Sequence, residues 1–333
     1  MISFIILNLT LILSSLIFYL FHKKTFFKSI VLYDNPDNLR KLHKNPVPLI
    51  SGIIILQFLI LNLMLEYLNN NIGLKILIIL ISLYILFFFV GFFDDKTQIL
   101  PLIRSFIIIS LLFLFLPLDE TLVVKNIFIE KYNLNINLNQ GAIFFSVLCV
   151  YFFYNFFNFI DGTNGVAITV ALFWLAFNYL NGAFLQNITL SIFLCLSFLL
   201  ILNLKGKIFL GNCGTSLLSI FISILFITNY NKSFIEVDEI FLVMFLPFID
   251  SIRVTINRII KNKSPFVGDR NHLHHLLEGF CSEKYIFVFY LVLTMLPYLS
   301  SLYIKSVISL SFSIFFYFLL IFILKNFKKK FNK

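Results

Sequence analysis

Amide, carboxylate and glycine residues form a regular run near the middle of the sequence. It reads Asn155-x-x-Asn158-x-x-Asp161-Gly162-Thr163-Asn164-Gly165. On a helix, this spacing of three predicts that Asn155, Asn158 and Asp161 lie within an arc of about 120°. Their oxygens suit a hard cation or a metal-bound phosphate, and the glycines permit a sharp turn. Polar packing between helices is the alternative, but the carboxylate beside a glycine turn favours a functional site.

Two adjacent carboxylates provide a second candidate, in the segment Gly91-Phe-Phe-Asp94-Asp95-Lys96. Adjacent carboxylates repel each other, so each tends to be held near a cation or a metal. Arg104 lies about one and a half helical turns into the next apolar segment, from which it could fold back towards the pair. The alternative is a solvated loop that ends an apolar segment, which is the commoner role of an isolated Asp-Asp pair.

A third segment, Gly211-Asn212-Cys213-Gly214-Thr215-Ser216, has small polar residues at the start of an apolar run. If a helix begins here, its free backbone N–H groups and its positive end would attract an anionic oxygen. A small-residue face that packs against another helix explains the segment equally well. Both interpretations therefore stay open.

The fourth candidate is a polar loop that holds three of the five histidines within four residues. Its candidate binding residues are Asp250, Arg253, Arg270, His272, His274 and His275. Imidazole and guanidinium groups at this density suit a diphosphate or a nucleotide. A zinc site is one alternative, although no Cys pair or His-Glu-x-x-His motif accompanies the histidines. A solvated loop is the other.

The elements that carry these motifs are predicted to be membrane helices. Of the 333 residues, 60% are hydrophobic and 13% are charged, and the mean hydropathy is +0.96. Soluble domains are usually ~45–50% apolar and ~25% charged, so the composition excludes soluble, disordered, collagen-like and disulfide-scaffold proteins. The four cysteines are far apart in the sequence and indicate neither a disulfide framework nor a zinc ribbon.

Eleven apolar segments are long enough to span a membrane, which takes roughly 20 residues. They are 2–21, 46–68, 74–93, 99–118, 140–160, 165–182, 184–204, 208–230, 236–256, 285–304 and 306–324. The first segment has no basic residues before it and no small-residue cleavage site, so it is expected to be a retained helix rather than a secretion signal. The spans predict a single all-α polytopic domain over 1–333, with its motifs in 34–277 and a basic tail at 325–333.

Charged residues divide unequally between the two sides that these spans define. With the N-terminus outside, 20 of the 26 Lys and Arg residues fall in cytoplasmic segments and five fall outside. The positive-inside rule therefore predicts an outside N-terminus and a cytoplasmic C-terminus, which accounts for the net charge of +10 without a nucleic-acid partner. Seven of the nine Asp and all five His are also cytoplasmic, so the chemistry is expected on that face.

Together, these motifs resemble the polyprenyl-phosphate N-acetylhexosamine-1-phosphate transferases, the superfamily that includes phospho-N-acetylmuramoyl-pentapeptide transferase. The resemblance begins at Asp34-Asn-Pro-Asp37-Asn-Leu-Arg40-Lys41-Leu-His43, includes the four motifs in the family's order and ends at Leu277. Ser264-Pro265-Phe266, followed by Asp269-Arg270-x-His272-Leu-His274-His275, is similar to the branch that uses a simple UDP-N-acetylhexosamine. The resemblance implies ten or eleven spans and a cytoplasmic active site.

Two positions depart from the family pattern. Its Asp-Gly-x-Asp-Gly reads Asp161-Gly-Thr-Asn164-Gly165 here, and its Gly-Asp-x-Gly-Ser reads Gly211-Asn212-Cys213-Gly214-Thr215. The resemblance implies that Asn212 stands where relatives have a magnesium ligand. An amide oxygen can ligate Mg²⁺ but brings no negative charge, so weaker metal binding is expected.

The resemblance implies transfer of a sugar 1-phosphate from a UDP-sugar to a polyprenyl phosphate, such as undecaprenyl phosphate, at a bacterial plasma membrane, with release of UMP. Mg²⁺, or Mn²⁺ in its place, is the implied cofactor. The implied metal ligands are Asn158, Asn212 and Asp161, and the implied catalytic carboxylates are Asp94, Asp95 and Asp161. The implied substrate contacts are Arg40, Lys41, His43, Lys96, Arg104, Asn155, Asp250, Arg253, Arg270, His272, His274 and His275. The basic tail is expected to bind anionic lipids.

Two other functions are compatible with the sequence. A transporter or lipid flippase would need charge near the span centres and inverted repeats, whereas charge here gathers at one face. A catalytically weak paralogue that serves as an assembly scaffold is suggested by Asn212 alone. Release of UMP by the purified protein would distinguish these functions. The sugar, the lipid length, the final polymer and the oligomeric state, a dimer included, are not determined by the sequence.

Overall fold

The apolar runs fold as α-helices, because a chain surrounded by lipid must satisfy its backbone N–H and C=O groups internally. The computed structural model describes residues 2–22, 31–36, 45–129, 134–265 and 269–331. Arg40, Lys41 and His43, which were predicted to contact the lipid phosphate, lie outside these residues.

Helices account for most of the described chain, as the all-α prediction requires. They are α1 (Ile2–Phe21), α2 (Ser51–Leu68), α3 (Leu74–Thr97), α4 (Pro101–Phe115), α5 (Ala142–Ile160), α6 (Val166–Asn181), α7 (Gln186–Leu204), α8 (Gly211–Asn231), α9 (Val237–Ile260), α10 (Leu273–Leu277), α11 (Glu283–Ser301) and α12 (Ser306–Phe331). Short strands form two antiparallel pairs, β1 (Tyr33–Asp34) with β2 (Val47–Pro48) and β3 (Asn126–Ile129) with β4 (Leu134–Asn137). The protein is an all-α polytopic membrane protein.

Each of the eleven predicted spans coincides with a helix, but within the described ranges nine segments are long and apolar enough to cross a membrane. α6 falls short because it has only 16 residues, against the roughly 20 that a span needs. α9 has 24 residues but carries Asp250, Arg253 and Arg258. These three side chains are buried inside the protein, so their charges do not have to face lipid.

α8 is the central helix of the bundle. It packs against α2, α3 and α5, and every residue from Cys213 to Asn229 is buried. Two glycines allow this close approach: a Cβ on Gly91 would lie 2.4 Å from the Asn212 carbonyl oxygen, and one on Gly52 would lie 2.3 Å from the Cys213 Cβ. Small residues let membrane helices pack this tightly. The first turn of α8 is therefore fixed between α2 and α3.

The alternating direction of the helices brings the four motifs to one end of the bundle. α3 ends just after Asp94 and Asp95, and α5 ends immediately before Asp161. At the same end, α8 begins at Gly211 and α9 leads into the histidine loop, which we define as residues 269–278. The opposite end carries the β3–β4 hairpin. Clustering of the chemical motifs at one end is thus a property of the fold.

Cysteine labelling in intact cells should reveal which end faces the cytoplasm. Ser282 follows the histidine loop and Asn135 lies on β4 at the opposite end, and both are exposed. Because the basic residues predict a cytoplasmic histidine loop, Ser282→Cys should react with a membrane-impermeant thiol reagent only after permeabilisation. Asn135→Cys should react without it. A background that lacks the four native cysteines is the control, and the reverse labelling pattern would overturn the predicted orientation.

Candidate active site

The Asp94–Asp95 motif lies within the last turns of α3 rather than in a loop, because the helix continues to Thr97. Asp94 is buried and forms an ion pair with Arg104 of α4, with 2.5 Å between Oδ2 and Nη1. The prediction that Arg104 folds back towards the carboxylates is confirmed. Because both charges are largely withdrawn from water, each depends on the other to offset its desolvation. Lys96 is exposed on the last turn of the same helix.

Asp95 caps the start of α8. Its two carboxylate oxygens accept hydrogen bonds from the backbone N–H groups of Asn212, at 2.9 Å, and Cys213, at 3.0 Å. A negative group is favourable at this position because the first N–H groups of a helix have no partner within the helix and the helix end is positive. An anionic oxygen at the start of α8 was one of the two interpretations that the sequence left open. The structure shows that the protein itself supplies this oxygen.

The polar row of α5 ends in a turn against α8. The helix stops one residue before Asp161, so Asp161 lies in the turn and not on the helix face that was predicted for it. Asn158 is on the last helical turn, and its Oδ1 accepts a hydrogen bond from the Thr215 hydroxyl of α8 at 3.3 Å. Asn155 instead donates to the Tyr151 carbonyl of its own helix at 2.8 Å. The contact between Asn158 and Thr215 joins two of the predicted motifs.

Gly162 brings this turn into direct contact with the histidine loop. A Cβ at position 162 would lie 2.4 Å from Nε2 of His274 and 2.9 Å from Nε2 of His275. Only glycine leaves room for this approach. Gly165 closes the turn with a φ of +84°, in the left-handed region that glycine adopts at little cost. The two glycines therefore have the roles that the sequence predicted for them.

Asp250 of α9 is fully buried and organises the histidine loop. Its carboxylate accepts hydrogen bonds from Nδ1 of His272 at 2.9 Å, Nη2 of Arg253 at 2.7 Å and the Tyr317 hydroxyl at 2.7 Å. The backbone N–H of Leu273 lies 3.1 Å from Oδ2. The ion pair between Asp250 and Arg253 confirms that these two residues share a helix face. Because protein donors surround the Asp250 carboxylate, we reassign Asp250 from substrate contact to support of the loop, whereas Nη1 of Arg253 is buried without a partner in the described part of the chain.

His272 belongs to the same supporting layer. Its Nδ1 donates to Asp250, and its Nε2 faces Nη2 of Arg258 at 3.4 Å. Arg258 in turn donates from Nε to Asp269 at 3.0 Å, which ties the start of the loop to α9. With protein groups at both ring nitrogens, His272 holds the loop in place. The sequence analysis predicted a substrate contact here and did not identify Arg258.

His275 and Arg270 share a carboxylate that the sequence analysis also did not identify. Nδ1 of His275 donates to Oε1 of Glu278 at 2.8 Å, and Arg270 forms an ion pair with Oε2 of the same side chain. The spacing of three between His275 and Glu278 was the available signal, because residues three apart face each other on a helix. These contacts fix the orientation of the His275 ring and leave its Nε2 directed towards Gly162.

His274 differs from its neighbours, because neither of its ring nitrogens has a hydrogen-bond partner among the described residues. The ring is 0% exposed and stacks parallel to His272, with 5.8 Å between the centroids. Burial, together with the nearby His275 and His272, holds the pKa of His274 well below its usual range. The ring is therefore neutral, with one N–H donor and one acceptor. Buried polar atoms are almost always paired in native proteins, so these two nitrogens need partners that the described side chains do not supply.

Negative charge accumulates around Asp161. Desolvation, and then the carboxylates of Asp95 and Asp34, raise the pKa of Asp161 to about 7. A cation at this position would have the opposite effect, because an opposite charge stabilises the ionised carboxylate. The hydroxyl oxygen of Thr163, in the same turn, is also buried without a partner in the described part of the chain.

The residues around Asp161 fit Mg²⁺ better than zinc. Within the described ranges, no group of three or more His, Cys, Asp or Glu side chains is arranged to hold a metal ion. A cation would therefore depend on the amide oxygens of Asn158 and Asn212, with Asp161 as the charged ligand, and on water or substrate phosphates. Mg²⁺ commonly uses one or two carboxylates together with phosphates and retained waters, so this donor set is suitable for it.

Comparison with known proteins agrees with the geometry. The model of glycosyl transferase family 4 matches residues 76–230, a segment that contains the motifs on α3, α5 and the start of α8. The undecaprenyl-phosphate alpha-N-acetylglucosaminyl 1-phosphate transferase of Yersinia pestis is 26% identical over 277 residues, which cover 77% of this chain and 72% of that protein. The proteins of the same name from Escherichia coli K12 and Salmonella typhi are 25% and 24% identical over 286 residues. These matches cover 80% and 77% of this chain, and 75% and 72% of the respective relatives.

Proposed function

We propose, from its similarity to glycosyl transferase family 4, that this chain transfers an N-acetylhexosamine 1-phosphate from a UDP-sugar to undecaprenyl phosphate or another polyprenyl phosphate. The products are a polyprenyl-diphosphate sugar and UMP. One observation carries the proposal: motifs far apart in the sequence meet at one end of the bundle. Asp95 binds the start of α8, Asn158 contacts Thr215, and Gly162 contacts His274.

The proposed reaction is a phosphoryl transfer between two phosphates. An oxygen of the lipid phosphate attacks the phosphorus that bears the sugar, and a new P–O bond forms. The P–O bond to UMP breaks, and UMP leaves with the bonding electron pair. A phosphate monoester has a second pKa near ~6, so it is largely ionised at neutral pH and needs no strong base. Positioning and charge neutralisation therefore supply most of the catalysis.

The donor diphosphate is proposed to bind between the Gly162 turn and the histidine loop. Neutral His274 donates its single N–H to a phosphate oxygen, which satisfies one of its two unpartnered nitrogens. The Arg270 guanidinium adds further donors, and His275 lies beside the same Gly162 turn. Since Glu278 accepts from His275 and pairs with Arg270, it orients both groups towards the same ligand.

Asp94 and Asp95 are proposed to organise the site through different partners. Asp94 orients Arg104, and Asp95 holds the first turn of α8, which carries Asn212. A general-base role is unnecessary for either carboxylate, because the lipid phosphate is already ionised.

Mg²⁺, with Mn²⁺ as a substitute, is proposed to bind to Asn158, Asp161 and Asn212. When bound, the metal neutralises the charge that develops on the leaving phosphate. Asp161 supplies the only carboxylate of this set, so the protein contributes less negative charge than a site with an Asp at position 212 would.

The proposal is tested with purified protein, Mg²⁺, undecaprenyl phosphate and a panel of UDP-N-acetylhexosamines labelled in the sugar. One donor should yield labelled lipid and an equal amount of UMP. His274→Ala should lose both products, whereas Asn135→Ala, an exposed change at the opposite end of the protein, should retain them. Transport of separately supplied, labelled undecaprenyl-diphosphate sugar across liposomal membranes, with no release of UMP from any UDP-sugar, would instead support the flippase. If the wild-type protein carries out neither transfer nor transport, the scaffold function is favoured.

Asn212→Asp should lower the Mg²⁺ concentration that gives half-maximal activity several-fold. The substitution adds a negative charge at nearly constant size, and charged oxygen ligands bind Mg²⁺ more tightly than amide oxygens do. Asn135→Asp is the matched control, because it adds the same charge at an exposed position at the opposite end of the protein. An Mg²⁺ titration of both variants measures the effect. Equal curves for Asn212→Asp and the wild type would exclude position 212 as a ligand.

The site's membrane location is proposed to be the inner membrane of a bacterial cell, with the histidine loop in the cytoplasm, where UDP-sugars occur. The reaction would then be the first membrane step of a cell-envelope glycan. Basic residues at 325–333 are proposed to bind anionic lipid headgroups at the cytoplasmic surface.

A further inference from the structure

Tyr317 lies in the middle of the last helix, α12, which carries none of the predicted motifs. Its side chain is 1% exposed. The hydroxyl donates to Oδ1 of Asp250 at 2.7 Å and accepts from Nε of Arg253 at 2.6 Å. A hydroxyl that donates and accepts at the same time has a fixed orientation. Tyr317 therefore joins α12 to the buried ion pair of α9.

This ion pair holds three consecutive residues of the histidine loop. Asp250 accepts from Nδ1 of His272 and from the backbone N–H of Leu273. Arg253 donates from Nη2 to the carbonyl of Asn271 at 2.7 Å. These residues lie where the loop enters α10, and α10 packs against both α11 and α12. The path from Tyr317 to the loop thus consists of hydrogen bonds, and the four side chains that make them are buried.

The position of His274 depends on the residues that this path holds. On one side, its ring lies parallel to that of His272, with an interplanar angle of 5°. On another side it contacts Gly162, where no space for a Cβ remains. A shift of His272 would therefore move His274 relative to the turn that carries Asp161.

We propose that Tyr317 is a positioning residue for the donor substrate, which acts by holding Asp250 and Arg253 and thereby His272 and His274. The identity of the donor as a UDP-sugar rests on the proposed function, whereas the positioning of the loop does not. Removing the hydroxyl leaves the Arg253 Nε without its partner and Asp250 with one donor fewer. Inside a protein, a polar group that loses its partner bears its full desolvation cost, so the loop should rearrange to compensate.

Tyr317→Phe removes this hydroxyl and keeps the ring. With the wild-type protein's own UDP-sugar, KM for the donor should rise about tenfold or more, the scale of a lost hydrogen bond to a charged group. KM for undecaprenyl phosphate should stay within about twofold of the wild-type value. The melting temperature should stay within about 3 °C, since a change confined to one loop leaves most of the bundle intact. Tyr84→Phe is the matched control, because Tyr84 is equally buried, lies against Phe221 and has no hydroxyl partner among the described residues.

Hydrogen exchange of the substrate-free protein provides a readout that does not require activity. Peptides that cover 269–278 should exchange faster in Tyr317→Phe than in Tyr84→Phe, and Asp250→Asn should reproduce the change. The double variant Asp250→Asn/Tyr317→Phe should exchange at nearly the rate of either single variant, because the effects of substitutions within one hydrogen-bond network are not additive.

The outcomes separate this proposal from the proposed function. A wild-type protein that uses no UDP-sugar would refute the proposed function, and the exchange of the loop would still decide the role of Tyr317. Unchanged donor KM and unchanged loop exchange in Tyr317→Phe would overturn the positioning role. Faster exchange throughout the bundle, with a lower melting temperature, would also overturn it, because Tyr317 would then contribute only to general stability.

Discussion

Asp95→Asn is expected to reduce kcat by at least about 10²-fold, the loss typical of a preorganised electrostatic group. The carboxylate accepts two backbone N–H groups at the start of α8, whereas a carboxamide offers one oxygen and turns its NH₂ group towards the second N–H. The substitution also removes a negative charge from a positive helix end. The first turn of α8, which carries Asn212, should therefore move out of place. Turnover at saturating substrates measures the loss.

Asp119→Asn is the matched control for this experiment. Asp119 also accepts a backbone N–H, that of Thr121 at 3.0 Å, but it lies at the opposite end of the protein. It should keep kcat within about twofold of the wild type, because a surface cap contributes to stability rather than to turnover. If Asp95→Asn folds and turns over as fast as Asp119→Asn, the carboxylate of Asp95 has no part in organising the site.

Gly162→Ala is expected to abolish most of the activity although it adds a single methyl group. The new Cβ would lie 2.4 Å from Nε2 of His274 and 2.9 Å from Nε2 of His275, so at least one ring must move by about an ångström. A misplacement of about 1 Å in a positioned group can cost about 10²-fold in rate. The loss should be in both kcat and donor KM, as measured by initial rates over a range of UDP-sugar concentrations.

Gly141→Ala is the appropriate comparison, because a Cβ at position 141 meets nothing within 4 Å. Gly141 lies at the other end of α5 from Gly162, so the two variants add the same methyl group at opposite ends of one helix. Both proteins should accumulate in the membrane to similar levels. Wild-type rates in Gly162→Ala would mean that the histidine loop withdraws from the turn at no cost, and that the contact is not part of the active arrangement.

Most of the membrane spans, and the polar motifs at their ends, could be predicted because both are local properties of the sequence. A run of apolar residues has the length of a span wherever it packs, and short polar residues at the ends of such runs stand out against them. The side of the membrane on which each motif lies also follows, because successive spans cross the membrane in opposite directions. The exceptions are α6, which has only 16 residues, and α9, where buried Asp250 and Arg253 make an internal helix more polar than a span that faces lipid.

Partners within the site could not be predicted, because they depend on contacts between distant segments. Asp95 and Asn212 are 117 residues apart, and the sequence indicated only that each attracts an opposite charge. The loop composition likewise suggested that all its polar residues bind substrate. Hydrogen bonding separates His272, which has a protein partner at each ring nitrogen, from His274, which has none among the described residues. Tyr317 gave no signal at all, since a single Tyr in an apolar helix has the same local pattern whether or not its hydroxyl is bonded.

The neutral state of His274 has a consequence for inhibitors of this site. The ring is buried, its pKa is well below the usual range, and both of its nitrogens lack partners in the described part of the chain. It therefore needs one acceptor and one donor from a ligand, but no negative charge. An uncharged heterocycle that presents these two groups would satisfy both nitrogens, whereas the proposed diphosphate, which only accepts hydrogen bonds, would satisfy one. Such a compound would also cross a lipid bilayer, where a charged group is costly to transfer.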